Sequence, residues 1–313
     1  MDTLREDNFK RKKKKKSRIF WTLILSFLTL LMLITAYAYF DYKNSLKKAN
    51  TFTSVPQENY DFNGIDDDLG KTNVLLLGVD SRGEEASRSD TIMIAQYDPD
   101  TGKSKIASIM RDTYVDIPGY KKQKINAANA LGGPELVRET IKANFNIDLQ
   151  YYAMIDFKGF SKVIDVTFPD GIEVDVEKKM SKGIGVTLHP GVQSLNGDEL
   201  LGYVRFRNDA QNDFGRVERQ QEVIGKMAEE IYHVGNIAKL PKIVGTVQHF
   251  VNTNLKSTTL ISLASSFLTK DSSFENIRIP VDGTYSPVRY EGIGEVLEVN
   301  LEENQSALNE FFN

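Results

Sequence analysis

Arginine and aspartate side chains are concentrated in two short stretches of this sequence. Of the ten arginines that follow residue 40, seven lie within residues 78–112 or 203–220. Guanidinium groups hold phosphate oxygens in a bidentate manner, better than lysine does. Several arginines with two aspartates and no evident nucleophile are typical of a site that holds a pyrophosphate with a divalent ion. Such a site acts by positioning and by neutralising charge.

The segment Tyr203–Arg207 is predicted to form a strand. Alternate residues of a strand share a face, so Arg205 and Arg207 would point the same way with Tyr203 beside them, and the apolar residues between them would enter a core. Two guanidiniums about 7 Å apart repel each other unless an anion lies between them. The alternation therefore predicts an anion site.

The helix predicted over residues 214–232 carries the next group of polar residues. Arg216 and Gln220 are four residues apart and share a helix face. Asp213 and the free N–H groups of the helix start lie close to them, and helix N-termini attract phosphate.

The other stretch contains Asp80, which follows an apolar run over residues 73–79, and Asp90, which begins the next predicted strand. A hairpin-like connection would bring the two carboxylates together at a sheet edge where α/β proteins bind ligands. Two carboxylates with few other ligands suit Mg²⁺, or Mn²⁺ in its place, because substrate phosphate and water complete the shell. Arg111 follows a third predicted strand. Any one Asp–Arg pair alone is equally compatible with an ordinary surface salt bridge.

Strand and helix patterns alternate along the chain, which predicts an α/β fold. The run over residues 73–79 is apolar throughout and predicts a strand buried on both faces. Asn300 is predicted to cap a last helix, with Glu303 reaching back to it. The other predicted strands are 91–97, 105–110, 171–176 and 296–299, and the other predicted helices are 134–144 and 157–165.

The N-terminus predicts a membrane anchor. Residues 1–18 contain nine basic and three acidic side chains, and Ile19–Phe40 is a run of 22 residues without a charge. A helix of that length spans a bilayer, and the basic tail should stay in the cytoplasm. A cleaved signal peptide is the alternative, with Ala36-Tyr37-Ala38 as the cleavage pattern, but the apolar run is longer than the roughly 7–15 residues of the apolar h-region of a signal peptide.

The expected organisation is a cytoplasmic tail (1–18), a single-pass transmembrane helix (19–40), a juxtamembrane stalk (41–70) and an extracellular domain (71–313). Without the first 18 residues the chain has 30 basic and 40 acidic side chains, so nonspecific binding to nucleic acid is not expected. The chain has no cysteine, which excludes disulfides and thiolate sites. The three histidines are scattered and show no metal-ligand spacing.

Five stretches resemble the LytR-CpsA-Psr family of Gram-positive bacteria, in the same order and spacing over roughly residues 70–235. They are LLLGVDSRG, RSDTIMI, SIMRDTYVDIPG, KINAANALGG and LNGDELLGYVRFRNDAQNDFGRVERQ. The sequence departs from the family pattern at Met110, where the family often has proline, and in the short interval between Asp80 and Asp90.

The resemblance implies a three-layer α/β/α domain with a central mixed sheet and a hydrophobic groove for a lipid tail. It implies transfer of a glycopolymer, such as wall teichoic acid, from a polyprenyl-pyrophosphate carrier to peptidoglycan through a phosphodiester link. It also implies Mg²⁺ (or Mn²⁺) at Asp80 and Asp90. The residues implied to bind the substrate are Arg82, Arg88, Arg111, Arg205, Arg207, Asp213, Arg216, Arg219 and Gln220. Those implied to be catalytic are Asp80, Asp90, Arg88, Arg111, Arg205 and Arg207.

Three other functions share some of these features. A non-catalytic module that binds lipid pyrophosphate or cell wall would share the arginines, and a pyrophosphatase would release the glycan to water. A transcriptional regulator would need a DNA-binding module, and 18 residues on the cytoplasmic side are too few to fold as one.

Overall fold

The computed structural model describes residues 60–66, 70–80, 87–234, 240–269 and 274–313, together with residues 32, 36, 39 and 40. The predicted anchor over residues 19–40 therefore lies almost wholly outside the described residues. Within the described part of the chain, no helix has the length and apolar character needed to cross a membrane. The anchor and the domain boundaries stay predictions.

The described chain contains twelve strands and seven helices, and its first helix follows five consecutive strands. The strands are β1 (Thr72–Val79), β2 (Ser89–Tyr97), β3 (Ser104–Ile109), β4 (Thr113–Val115), β5 (Gln123–Lys124), β6 (Tyr151–Asp156), β7 (Ile172–Val176), β8 (Gly191–Leu195), β9 (Val251–Thr253), β10 (Phe274–Ile279), β11 (Tyr285–Tyr290) and β12 (Gly294–Val299). The helices are α1 (Ala127–Phe145), α2 (Phe157–Thr167), α3 (Gly197–Arg205), α4 (Asn212–Val234), α5 (Leu240–Phe250), α6 (Ser257–Thr269) and α7 (Leu301–Phe312).

The main sheet has six strands in the order β10-β3-β2-β1-β6-β9. It is mixed, because β1 pairs antiparallel with β2 and parallel with β6. A second sheet has the order β11-β12-β4-β5, and β7 and β8 form a hairpin. The predicted α/β class and central mixed sheet are confirmed.

The two faces of β1 differ, which corrects the prediction of a strand buried on both. Leu75 and Leu77 are almost completely buried in the core that α1 and α7 form on one face of the sheet. Leu76 and Gly78 alternate with them and line a cavity between the opposite face and helices α2 to α5. The side chains on that face are also apolar, but they line the cavity instead of packing into a core.

The segment Tyr203–Arg207 is not a strand, and the prediction was wrong. Residues up to Arg205 complete helix α3, whose start is capped by the Asn196 side chain together with Glu199. The helix ends at Phe206, whose backbone is extended (φ −62°, ψ 130°). A strong N-terminal capping box outweighs the short alternating pattern, which is also compatible with the last turn of a helix.

Several other predicted elements are present. The helix predicted from residue 134 is the second half of α1, which follows a kink at Gly132 and Gly133. Gly133 has a φ of 65°, and a Cβ there would lie 2.8 Å from the Tyr60 ring. Asn300 caps α7 by accepting a hydrogen bond from the backbone N–H of Glu303 at 3.3 Å.

Residues 60–66, which belong to the segment predicted as a stalk, pack against the domain. Tyr60 and Phe62 contact the core that contains Tyr152. The Asn63 backbone and side-chain N–H groups both donate to Glu135 at 2.9 Å. This part of the chain is therefore tied to α1 rather than extended away from the domain.

Candidate functional site

A cavity of about 1110 Å³ lies between the main sheet and helices α2 to α5. Its interior is apolar, with contributions from four strands and four helices. The apolar lining includes Leu76, Met93, Ala153, Ile155, Phe160, Leu201, Val204, Val223, Ile224, Met227, Val247 and Val251.

Charged and polar side chains line the same cavity beside its apolar part. They come from the ends of β1 and β3, the start of β2, strand β5, the end of α3, the α3–α4 connection and the first turns of α4. This polar end includes Asp80, Asp90, Arg111, Asp112, Lys124, Arg205, Arg207, Asp213, Arg216 and Gln220. The cavity therefore has an apolar compartment and a charged mouth, which suits an amphiphilic ligand with an anionic head.

The end of the β1–β2 hairpin places Asp90 at the mouth. Gly78 is opposite Thr91 and Val79 is opposite Ser89, so Asp90 is the extra residue of a β-bulge. Bulges re-aim side chains and are common next to active sites. Gly78 allows the close approach of the strands, since a Cβ there would lie 3.0 Å from the Thr91 Cβ.

Arg111 connects carboxylates that are far apart in the sequence. Its Nη1 contacts Asp90 Oδ1 at 2.5 Å, and its Nε donates to Asp213 Oδ2 at 3.0 Å. Asp213 Oδ1 is also 3.6 Å from Nη1 of both Arg207 and Arg216. One carboxylate is thus shared by three guanidiniums.

Burial and charge act against each other on these groups. Burial raises the pKa of Asp213, but Arg216 and Arg111 outweigh burial and bring the pKa below its usual range. Burial lowers the pKa of Arg216 to about 10, although Asp213 partly opposes it. The Arg216 side chain is only 5% exposed, and its Nε is buried without a hydrogen-bond partner. A buried, incompletely satisfied guanidinium favours an incoming anion.

Arg205 and Arg207 both line the cavity, but not through the predicted strand alternation. The Arg205 guanidinium lies 4.0 Å from the centre of the Phe157 ring at the start of α2, a cation–π contact that orients it. The Arg207 side chain is 47% exposed. Tyr203, predicted to lie beside them, is instead buried and donates from its hydroxyl to Glu222 at 2.7 Å.

Three other predicted arginines have different positions. Arg88 lines a smaller cavity of about 280 Å³ that adjoins the mouth and shares Asp80, Asp90 and Arg111 with it. Arg219 lines neither cavity: it donates to the Phe206 carbonyl at 2.5 Å and to Asp209 at 3.3 Å, and so holds the α3–α4 connection. Arg82 lies outside the described residues.

Two charged residues of the mouth were missing from the sequence-based prediction. Asp112 and Lys124 line both cavities, and Lys124 Nζ contacts Asp112 Oδ1 at 2.7 Å. Asp112 could have been found, because it directly follows Arg111 at the end of β3. Lys124 could not, because only the pairing of β4 with β5 brings it to the mouth.

The two aspartates predicted to bind a metal are both at the mouth. Asp80 and Asp90 line both cavities, and their hard carboxylate oxygens fit an ion that takes few protein ligands. Within the described ranges there is no group of three or more His, Cys, Asp or Glu side chains that could hold a metal on its own. The donor set is therefore compatible with Mg²⁺ or Mn²⁺ only if a ligand and water supply the remaining oxygens.

The LytR_cpsA_psr family model matches residues 32–310. This chain belongs to the LytR-CpsA-Psr family. Among its relatives, Regulatory protein MsrR of Staphylococcus aureus (strain COL) is 44% identical over 253 residues, which cover 80% of this chain and 77% of MsrR. The polyisoprenyl-teichoic acid–peptidoglycan teichoic acid transferase TagU of Oceanobacillus iheyensis is 31% identical over 271 residues, with 82% and 83% coverage.

Solved structures of the family share the fold. B. subtilis TagV superposes with a TM-score of 0.67 at 28% identity, over 77% of this chain and 97% of TagV. The LytR-CPS2A-psr family protein YwtF (TagT) with bound octaprenyl pyrophosphate lipid superposes with a TM-score of 0.56 at 25% identity, over 83% of this chain and 96% of that chain.

Proposed function

We propose that this protein is a phosphotransferase that moves a glycopolymer, wall teichoic acid or a similar anionic polymer, from a polyprenyl-pyrophosphate lipid to peptidoglycan. The observation that carries the proposal is a cavity that combines an apolar interior with an arginine-rich mouth. A polyprenyl pyrophosphate has the same two halves. The relationship to TagU, a teichoic acid transferase, and to TagT with bound octaprenyl pyrophosphate lipid supports the proposal.

The substrate would bind with its isoprenoid chain among the apolar side chains of α3, α4 and the sheet. Its pyrophosphate would lie at the mouth, where Arg205, Arg207 and Arg216 face the cavity. Arg111 already makes ion pairs with Asp90, Asp112 and Asp213, so it contributes charge while it fixes the positions of these carboxylates. Arg88 would reach the head group from the adjoining cavity.

Asp80 and Asp90 would hold Mg²⁺ or Mn²⁺, which would neutralise phosphate charge as the bond to the leaving group breaks. The acceptor is a sugar hydroxyl of peptidoglycan. Its oxygen attacks the phosphorus that carries the glycopolymer and forms the new phosphodiester bond. The P–O bond to the polyprenyl phosphate breaks, and that phosphate leaves with the electron pair. The hydroxyl proton passes to a carboxylate at the mouth, Asp80 or Asp90.

The proposed location follows the predicted anchor. The basic tail would be cytoplasmic, one helix would cross the cell membrane, and the domain would be extracellular, where both lipid carrier and peptidoglycan are accessible.

The test is a transfer reaction with the purified full-length chain in detergent. The protein is incubated with a polyprenyl-pyrophosphate oligosaccharide and uncrosslinked peptidoglycan, with Mg²⁺ or with a chelator, and mass spectrometry looks for a sugar–phosphate–muramyl adduct. The variants are Arg205→Ala and Asp90→Ala. Asp282→Asn is the matched control, because Asp282 is 88% exposed and outside both cavities.

An adduct that needs the divalent ion and disappears in both variants supports the transferase. Tight lipid binding without an adduct in the wild type overturns it in favour of a non-catalytic module that binds lipid pyrophosphate or cell wall. Free glycan phosphate in place of an adduct identifies a pyrophosphatase.

A further inference from the structure

The second sheet carries a stacked pair of tyrosines on a face that reaches solvent. The rings of Tyr114 and Tyr290 are 4.9 Å apart at 26°. The Tyr290 hydroxyl donates to Glu298 at 2.9 Å, and the Lys122 ammonium lies 5.0 Å from the Tyr114 ring centre. Both rings are only partly buried, and Glu298 is exposed. We name these four residues the tyrosine platform.

Strand pairing places the platform beside the mouth of the cavity. Tyr114 is directly opposite Lys124 in the antiparallel pair of β4 and β5. Directly opposite residues share a face, with Cβ atoms about 4.5–5.5 Å apart. Lys124 lines both cavities. The Cβ atom of Tyr114 therefore lies about 5 Å from that of Lys124 at the polar mouth, which is about the width of one sugar ring.

We propose that the tyrosine platform binds a hexopyranose ring of the acceptor glycan strand. A pyranose has C–H faces that pack on aromatic rings and hydroxyl edges that need both donors and acceptors. Tyr290 offers a ring that Tyr114 supports from behind, Glu298 accepts hydrogen bonds, and Lys122 donates them. The proposal rests on the proposed function, in which the lipid fills the apolar cavity and the acceptor must approach from the open side.

The charges of the platform favour a glycan over an anionic lipid surface. Tyrosines and lysines together can bind to membranes, where anionic lipids attract basic groups. On the same face, however, strand β12 presents the exposed carboxylate of Glu298, which accepts a hydrogen bond from the Tyr290 hydroxyl. This carboxylate repels an anionic bilayer but can accept hydrogen bonds from sugar hydroxyls.

The experiment measures acceptor binding separately from donor binding. Fluorescently labelled, uncrosslinked glycan fragments are titrated against the full-length chain in detergent and followed by anisotropy. The same proteins are titrated with a polyprenyl pyrophosphate and with vesicles that contain anionic lipid. The variants are Tyr290→Ala, Tyr290→Phe and, as a control outside the platform, Tyr120→Ala, whose side chain is 52% exposed.

We expect Tyr290→Ala to weaken glycan binding about tenfold, because a stacked aromatic contact is lost. Tyr290→Phe should keep most of the affinity, and Tyr120→Ala should match the wild type. Binding of polyprenyl pyrophosphate should not change in any variant.

The proposal is overturned if Tyr290→Ala and the wild type bind the glycan with equal affinity, or if the wild type binds no glycan. A loss confined to vesicle binding also overturns it and identifies a membrane contact. Failure of the wild type to bind polyprenyl pyrophosphate refutes instead the proposed function, so the two failures are distinguishable.

Discussion

The substitution Asp213→Asn should destabilise the folded protein by leaving the buried arginines without their shared countercharge. Asp213 oxygens lie 3.0 Å from Arg111 Nε and 3.6 Å from Nη1 of both Arg207 and Arg216. Removing one partner of a buried ion pair costs roughly 3–5 kcal/mol. Asn is nearly isosteric with Asp, and its amide oxygen can still accept a hydrogen bond from Arg111, which also keeps its ion pair with Asp90. The expected decrease in the free energy of unfolding is therefore about 2 kcal/mol.

The assay is thermal unfolding of the full-length chain. For a domain of this size, about 2 kcal/mol corresponds to a decrease of about 4–8 °C in Tm. Asp282→Asn is the matched control, because the Asp282 carboxylate is 88% exposed and its pair with Arg278 should contribute little.

Inorganic pyrophosphate should partly restore the stability of Asp213→Asn. A bound anion replaces the lost negative charge, and a ligand that binds only the folded state raises its stability by mass action. We therefore expect pyrophosphate to raise the Tm of Asp213→Asn more than that of the wild type. The reasoning is refuted if Asp213→Asn lowers Tm no more than Asp282→Asn does, or if pyrophosphate raises both by the same amount.

The same variant has a predicted pH dependence. The folded-state pKa of Asp213 is below the usual value of an aspartate, since Arg216 and Arg111 outweigh the effect of burial. The carboxylate therefore contributes stability that is fully present above about pH 4 and is lost as the pH falls through the depressed pKa. The difference in Tm between wild type and Asp213→Asn should narrow in acid and stay constant from pH 5 to pH 7.

Three further predictions concern the cavity, the α3–α4 connection and the N-terminal segment. Ala153→Leu should narrow the apolar compartment and weaken the binding of long-chain polyprenyl pyrophosphate several-fold, with no effect on the binding of inorganic pyrophosphate. Titration of the variant with each of the two ligands checks this prediction. Equal weakening of the two affinities contradicts it. Arg219→Lys should lower Tm by several degrees, because lysine lacks the guanidinium group that donates to the Phe206 carbonyl. The KM for the lipid donor should change less than twofold. A large rise in KM with unchanged Tm would instead mean that Arg219 binds the substrate directly. Glu135→Gln should speed hydrogen exchange at the backbone N–H of Asn63. The Glu135 carboxylate, whose pKa is about 2, accepts hydrogen bonds from both Asn63 N–H groups, and a neutral amide oxygen is a weaker acceptor. Unchanged exchange at Asn63 would show that apolar packing alone holds residues 60–66.

Local patterns predicted several of the elements that surround the site, but strands β5, β6 and β9 and helix α5 were not predicted. A continuous apolar run that ends in glycine marked β1, similar apolar-rich runs marked β2 and β3, and the Asn300 cap marked α7. The segment Tyr203–Arg207 was predicted wrongly. An alternating pattern of five residues does not distinguish a strand from the end of a helix, and the competing signal, the Asn196 capping box, lies before the segment.

The shape of the site and the contacts among its charged groups could be obtained only from the tertiary structure. Arg111 and Asp213 are 102 residues apart and meet only because β3 ends beside the start of α4. Arg219 belongs to the same arginine-rich stretch as Arg216, yet it faces the α3–α4 connection. Side-chain direction on a helix depends on what packs against it, and no local pattern contains that information.

The sequence by itself determined the α/β class, the family resemblance and the residue types of a phosphate site, because these depend on composition, short periodicities and motif order. The tertiary structure alone decided which face of β1 lines the cavity, which arginines share Asp213, and that Lys124 lies at the mouth with the tyrosine platform beside it. These features arise from contacts between elements distant in the chain, where strand register and helix packing set distances that the sequence does not state directly.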